Sequence, residues 1–147
     1  MPIVTFAEQV KVQGCNAFST ALADGKFPAS GSFIDVSDFE RFAFVVKAGA
    51  LNSALTVKVQ QATAANGTPK DVSSATASIA ATDDDDTFII EVETRKLDLN
   101  NDYRFVTLDL AGAAGSDDYA DIIFLGINPG VTPVTQPATT NKVIVAG

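Results

Sequence analysis

The amino-acid sequence predicts an all-β domain: a jelly-roll-like β-sandwich with extended N- and C-terminal segments. Three observations carry this. Apolar and polar residues alternate with a period of two in several separate stretches, turn-forming residues recur between those stretches, and no window shows the apolar stripe of an amphipathic helix. With 147 residues, 46% of them hydrophobic, the chain can bury one core without disulfides or a structural metal.

The first 32 residues are mixed in pattern. Val10 and Val12 mark one short strand, residues 18–23 suit a single helical turn, and residues 25–31 read as loop, so residues 1–32 are expected to form an irregular N-terminal arm. The sandwich core is expected over residues 33–128. Residues 41–46 form a continuous apolar run, as a strand buried on both faces does. From Leu55 the chain alternates, with Leu55, Val57 and Val59 on one face and Thr56, Lys58 and Gln60 on the other. Residues 73–81 are Ala-rich, but the interleaved Ser and Thr favour an extended or loop segment over a helix. Phe88, Ile90 and Val92 alternate with polar neighbours and should turn inward. The stretch from Arg104 to Leu110 is apolar on both faces and should be central or covered, and residues 121–127 form a second continuous run. Turn signals at residues 48–49, 66–67, 83–86, 100–101, 112–118 and 128–130 separate at least six strands. A closed up-and-down barrel is the structural rival. In residues 129–147, Pro129, Pro133 and Pro137 keep the chain extended before an apolar end, Val143, Ile144 and Val145, which either folds back as an edge strand or docks on a neighbouring subunit.

Ten Lys and Arg against 18 Asp and Glu give a net charge of −8, which disfavours phosphate backbones and anionic lipid surfaces; neither nucleic acid nor membrane is expected as a partner. No stretch approaches the ~18 apolar residues of a membrane-spanning helix, and the N-terminus has no signal-peptide pattern, so synthesis and retention in a cytoplasm is the expectation. The acids gather at turns rather than in strands. The absence of His removes the commonest general base and metal ligand, and a single Cys15 can close neither an intrachain disulfide nor a zinc cluster. There is no nucleophile elbow and no P-loop; residues 112–115 read as a flexible loop. Paired carboxylates occur at residues 83–86, at Asp117 and Asp118, and at Glu91 and Glu93. With no Trp and two Tyr, they read as solvated turns and faces rather than a glycosidase pair, a loop site for calcium at residues 83–86 being the alternative. No catalytic residue, metal or cofactor is expected. Phe33, Phe39, Phe42 and Phe44 read as core, although Phe39 and Phe42 with Arg41 suit a strand entering an interface.

The stretch from Phe33 through Asp35, Val36, Ser37, Asp38, Phe39 and Arg41, the strand at residues 44–47, the strand at residues 55–61 ending in Gln60 and Gln61, the Gly67 turn, Asn101 to Val106 with Tyr103 and Arg104, and the exit through Asn128, Pro129 and Pro133 resemble small head decoration, or cement, proteins of tailed bacteriophages. The likeness covers residues 33–135. It implies a β-sandwich or jelly-roll virion protein with no active site. Such a protein would form a homotrimer, bind the major capsid protein on the outside of the capsid and stabilise the expanded head. It would be made in the bacterial host cytoplasm. Ile3, Val4, Phe6, Phe39, Arg41, Val143, Ile144 and Val145 are the expected subunit or capsid contacts. Residues 1–30 match nothing in that family, so a tail or fibre module, or a surface-displayed carbohydrate- or receptor-binding sandwich, stands as the alternative.

Overall fold

Two long strands, β4 (Phe39–Ala48) and β9 (Ala120–Pro129), pair antiparallel along almost their whole length, from Phe39 opposite Pro129 to Ala48 opposite Ala120. They are central in the first of two sheets. The computed structural model describes residues 5–17, 20–113, 117–138 and 140. The remaining strands are β1 (Val10–Gly14), β2 (Gly25–Phe27), β3 (Ile34–Asp35), β5 (Leu55–Ala62), β6 (Lys70–Ile79), β7 (Thr87–Glu93) and β8 (Phe105–Ala111); a one-turn helix α1 (Phe6–Gln9) precedes β1. The first sheet has the order β1-β9-β4-β7. The second has the order β2-β8-β5-β6, with β3 also on β8. All pairings are antiparallel. The fold is a β-sandwich of two separate sheets rather than one closed barrel.

The core lies between the sheets. From the first come Phe42, Phe44 and Val46 of β4, Ile122 and Phe124 of β9, and Ile90 and Val92 of β7; from the second, Leu55, Val57 and Val59 of β5 and Val106, Leu108 and Leu110 of β8. Each such side chain taken from water contributes about 1.5–3 kcal/mol. Phe124 organises the aromatic part: the Phe44 ring meets it edge-on at 5.6 Å, Phe42 stacks at 6.1 Å, and Phe39 meets it edge-on at 6.5 Å. Phe39, paired with Pro129, lays its ring over Gly126, which has no side chain; a Cβ there would lie 2.7 Å from the Phe39 ring.

Several expectations are corrected. Residues 1–32 are not simply an arm: β1 pairs with β9 over five residues and β2 with β8 over three, so the sandwich begins at Val10. Val10 and Val12 stand in β1, where a short strand is expected, whereas β2 escapes a periodicity reading because it is short and lies at a sheet edge. No helical turn forms at residues 20–23. The Ala-rich segment is part of the ten-residue strand β6, where Val72, Ala75 and Ile79 are buried. Its register on β5 shifts between Lys58–Thr76 and Gln60–Asp71, so residues 72–75 bulge opposite Val59, with Ser74 at φ 63°. That bulge hides the period of two.

The described part of the C-terminal segment returns along β1. The Val134 amide donates to the Glu8 carbonyl, and the Gln136 side chain accepts from the Val12 amide at 2.9 Å while donating to the carbonyls of Ala7 and Val10. Thr140 Oγ1 donates to the Val12 carbonyl at 2.6 Å. Side chains thus satisfy an edge that would otherwise offer bare backbone to another strand.

Asp118 fastens one end of the sandwich. It is fully buried, its carboxylate accepts the amides of Asn52 at 2.7 Å and Ser53 at 2.9 Å, and its carbonyl accepts the Leu22 amide. Replacing it with Ala strands two amides, so Asp118→Ala should lower unfolding free energy by about 2–3 kcal/mol in urea titration. Gly126→Ala should cost about 1–3 kcal/mol by the same measurement, because the Phe39 ring must leave its place on β9.

Candidate interaction surface

Eight of the 18 acids gather at one pole. The β4–β5, β6–β7 and β8–β9 loops meet at one end: Leu51 N donates to Asp84, Asp85 N to the Gly49 carbonyl, and Tyr119 N to the Ala50 carbonyl, while Asp24 accepts the Ala113 amide. Asp24, Asp83, Asp84, Asp85, Asp86, Asp117, Asp118 and Asp121 all lie there, so eight of the 18 acids share one end with Lys47, which donates to the Asp85 carbonyl. These carboxylates serve the turns. Asp83 accepts the Ala80 amide and Asp84 the Leu51 amide. Among the described residues, no group of three or more His, Cys, Asp or Glu is arranged to hold a metal ion.

Glu91 and Glu93 project from the outer face of β7 across to Arg41 of β4. Arg41 lies 3.1 Å from Glu91 and 3.7 Å from Glu93, and Arg95 also donates to Glu93. The Arg95 hydrogen bond and charge hold Glu93 below the usual carboxylate range. A general acid needs the opposite shift. Cys15 is pushed up to about 12 by burial, which keeps it a thiol and a poor nucleophile.

The outer face of the first sheet is a different kind of surface. Register places Val10, Ile127, Arg41 and Glu93 in one row, Val12, Leu125, Ala43 and Glu91 in the next, and Ile123, Val45 and Ile89 in a third beside Gly14. Eight aliphatic side chains therefore line the side of the sheet that faces away from the core. Most are half-buried by one another, and Ile89 is 68% exposed. An antiparallel sandwich ordinarily presents polar side chains on its outer faces. An apolar face rimmed by paired charges has the composition expected of a surface that packs against protein.

Of the contact residues expected from sequence, Arg41 stands on this face and Phe6 is 65% exposed on α1. Phe39 is corrected: it is buried against Phe124 and Gly126 within the chain and has little surface left for a partner. Ile3, Val4, Val143, Ile144 and Val145 lie outside the described residues. The face itself was missed. Continuous runs at residues 41–46 and 121–127 read as strands covered on both sides, whereas among the described residues no second sheet covers their outer face. The signal was the apolar character of alternate residues on β1, β4 and β9 together, visible only once register is known.

Neither the known protein families, nor the curated proteins, nor the solved structures contain a match to this chain. The likeness to phage decoration proteins rests on the quoted residues alone.

Four carboxylates at the surface, exposed or half-buried, have lowered pKa values: Glu93 through Arg95, Asp71 chiefly through the Gln60 amide, Asp98 chiefly through Lys70, and Glu8 chiefly through the Thr5 amide. A depressed folded-state pKa contributes stability above the unfolded values, 3.8 for Asp and 4.5 for Glu, and that contribution is lost as pH falls through the folded values. Melting temperature should therefore hold from pH 8 to about pH 5 and fall below pH 4. Raising the salt concentration should flatten the drop.

Proposed function

We propose that the chain is a non-enzymatic virion structural protein that binds the outer surface of a phage capsid as a homotrimer and stabilises the expanded head. The observation that carries this reading is the apolar outer face of the first sheet, built for packing against protein over a broad area rather than for enclosing a small ligand. The strand orders add support. With β2 and β3 counted as one interrupted strand, every connection except β5–β6 crosses between the sheets, which supports the jelly-roll reading of the sandwich. The acidic pole suits a protein at the outside of a shell, where contact with packaged DNA is to be avoided. Clamping would then be collective, with three linked subunits each making modest contacts.

The test is sedimentation of the purified chain with empty expanded capsids, beside its mass in solution. A trimeric mass and saturable co-sedimentation are expected, with Leu125→Asp losing at least about tenfold in capsid affinity while keeping its circular dichroism spectrum. A monomer without capsid affinity, or a glycan ligand bound in its place, overturns the reading.

A further inference from the structure

The turn between β5 and β6 carries a reactive pair that neither the core nor the outer face uses. Asn66 stands exposed in it, and Gly67 follows. The Gly67 amide closes the turn by donating to the Ala64 carbonyl at 3.0 Å, and glycine fits best there because a Cβ on residue 67 would lie 3.1 Å from the Ala64 nitrogen. The turn also clasps a neighbouring segment. The Ala65 carbonyl accepts the amides of Gly31 at 2.9 Å and Phe33 at 3.2 Å, which fixes the chain where it enters the core through buried Phe33 and Ile34. The other described asparagines are placed differently. The side-chain amides of Asn16, Asn52, Asn101 and Asn128 donate to the Ala120 and Asp117 carbonyls and to the Asp98 and Glu40 carboxylates. Asn100 is exposed but is followed by Asn101, which has a side chain. The Asn66 side chain makes no hydrogen bond among the described residues.

We propose that Asn66 is a site of spontaneous modification, at which the Gly67 nitrogen attacks the Asn66 side chain and converts it to aspartate and isoaspartate. The Gly67 nitrogen gives its proton to solvent base and forms a bond to Asn66 Cγ. The bond from Cγ to Nδ2 breaks, the side-chain nitrogen leaves as ammonia, and a five-membered succinimide remains. Water then adds to one of the two ring carbonyls, whose bond to the ring nitrogen breaks. At Cγ this restores a normal backbone carrying aspartate; at the main-chain carbonyl it routes the chain through Cβ as isoaspartate. One ammonia leaves and one water enters, with no change of oxidation state. Glycine suits the attacking position because, without a Cβ, it neither shields its nitrogen nor restricts the backbone angles that ring closure needs. In the closed turn that nitrogen is engaged with Ala64, so the reaction proceeds when the exposed turn opens, a local event that leaves the core intact. Isoaspartate adds a methylene to the main chain next to Ala65. The Ala65 carbonyl then loses its alignment with Gly31 and Phe33, and the clasp is released. The turn thus dates the molecule, independently of the capsid reading.

The test ages the full-length folded protein at mildly alkaline pH, digests samples with trypsin and follows every asparagine by tandem mass spectrometry. Asn66 should convert at least about tenfold faster than any other asparagine, because Gly67 alone among the residues that follow asparagine lacks a Cβ. The rate should rise with hydroxide concentration, and Asn66→Ser should show no conversion at this position. The isoaspartate form, separated by ion exchange, should melt about 4 °C or more below the fresh protein. Asn66→Asp, which adds the same charge on a normal backbone, should melt within about 2 °C of it. Conversion at Asn66 no faster than at the other asparagines overturns the proposal, as does an isoaspartate form that melts with the fresh protein.

Discussion

The β4–β9 register is the constraint on which the rest depends. With Phe42 opposite Gly126 and Phe44 opposite Phe124, the even-numbered residues at 42–48 and 120–126 face the second sheet and the odd-numbered ones between them face away. A slip of one residue would turn Phe124 outward and Leu125 inward, exchanging the two faces. Gly126 ties the register further, because it alone on β9 leaves room for the Phe39 ring. The core and the outer apolar face are thus two results of one alignment.

The sheet edges are handled differently. β1 is covered by the C-terminal segment through Gln136 and Thr140. β6 is broken by its bulge at residues 72–75, which removes a continuous row of backbone groups from an edge position. β7 carries Glu91 and Glu93, charged residues that resist pairing with another strand of the same kind. Association through added strands is discouraged on these three of the four edges, the fourth being the three-residue β2.

Much of the fold was legible because burial leaves a trace in sequence. β5, β7 and β8 show their alternation directly, and the turns at Gly49, Asn66 with Gly67, and Asn128 to Gly130 stand where expected. What was hidden has physical causes. β2 and β3 are too short to show a period, and β3 is only two residues. In β6 the bulge interrupts the alternation and small Ala residues blur it. The outer face was misread because a strand apolar on both sides looks the same whether its second side meets its own chain or another, and only cross-strand register distinguishes them. Phe39 was ambiguous for the same reason: an aromatic residue at a strand's start serves equally as core or as anchor until its neighbour is seen to be Gly126.

The acidic end gives the molecule a directional property that follows from where its charge lies rather than how much there is. Concentrated at one end of the strands, the negative charge makes the sandwich an electric dipole roughly along its long axis. Near an anionic body such a molecule experiences a torque as well as repulsion, and turns its loops away before anything touches. With a screening length of about 8 Å in physiological salt, this alignment acts only over the last nanometre of approach. That is enough to favour sideways arrivals, in which the neutral flank of the first sheet comes forward.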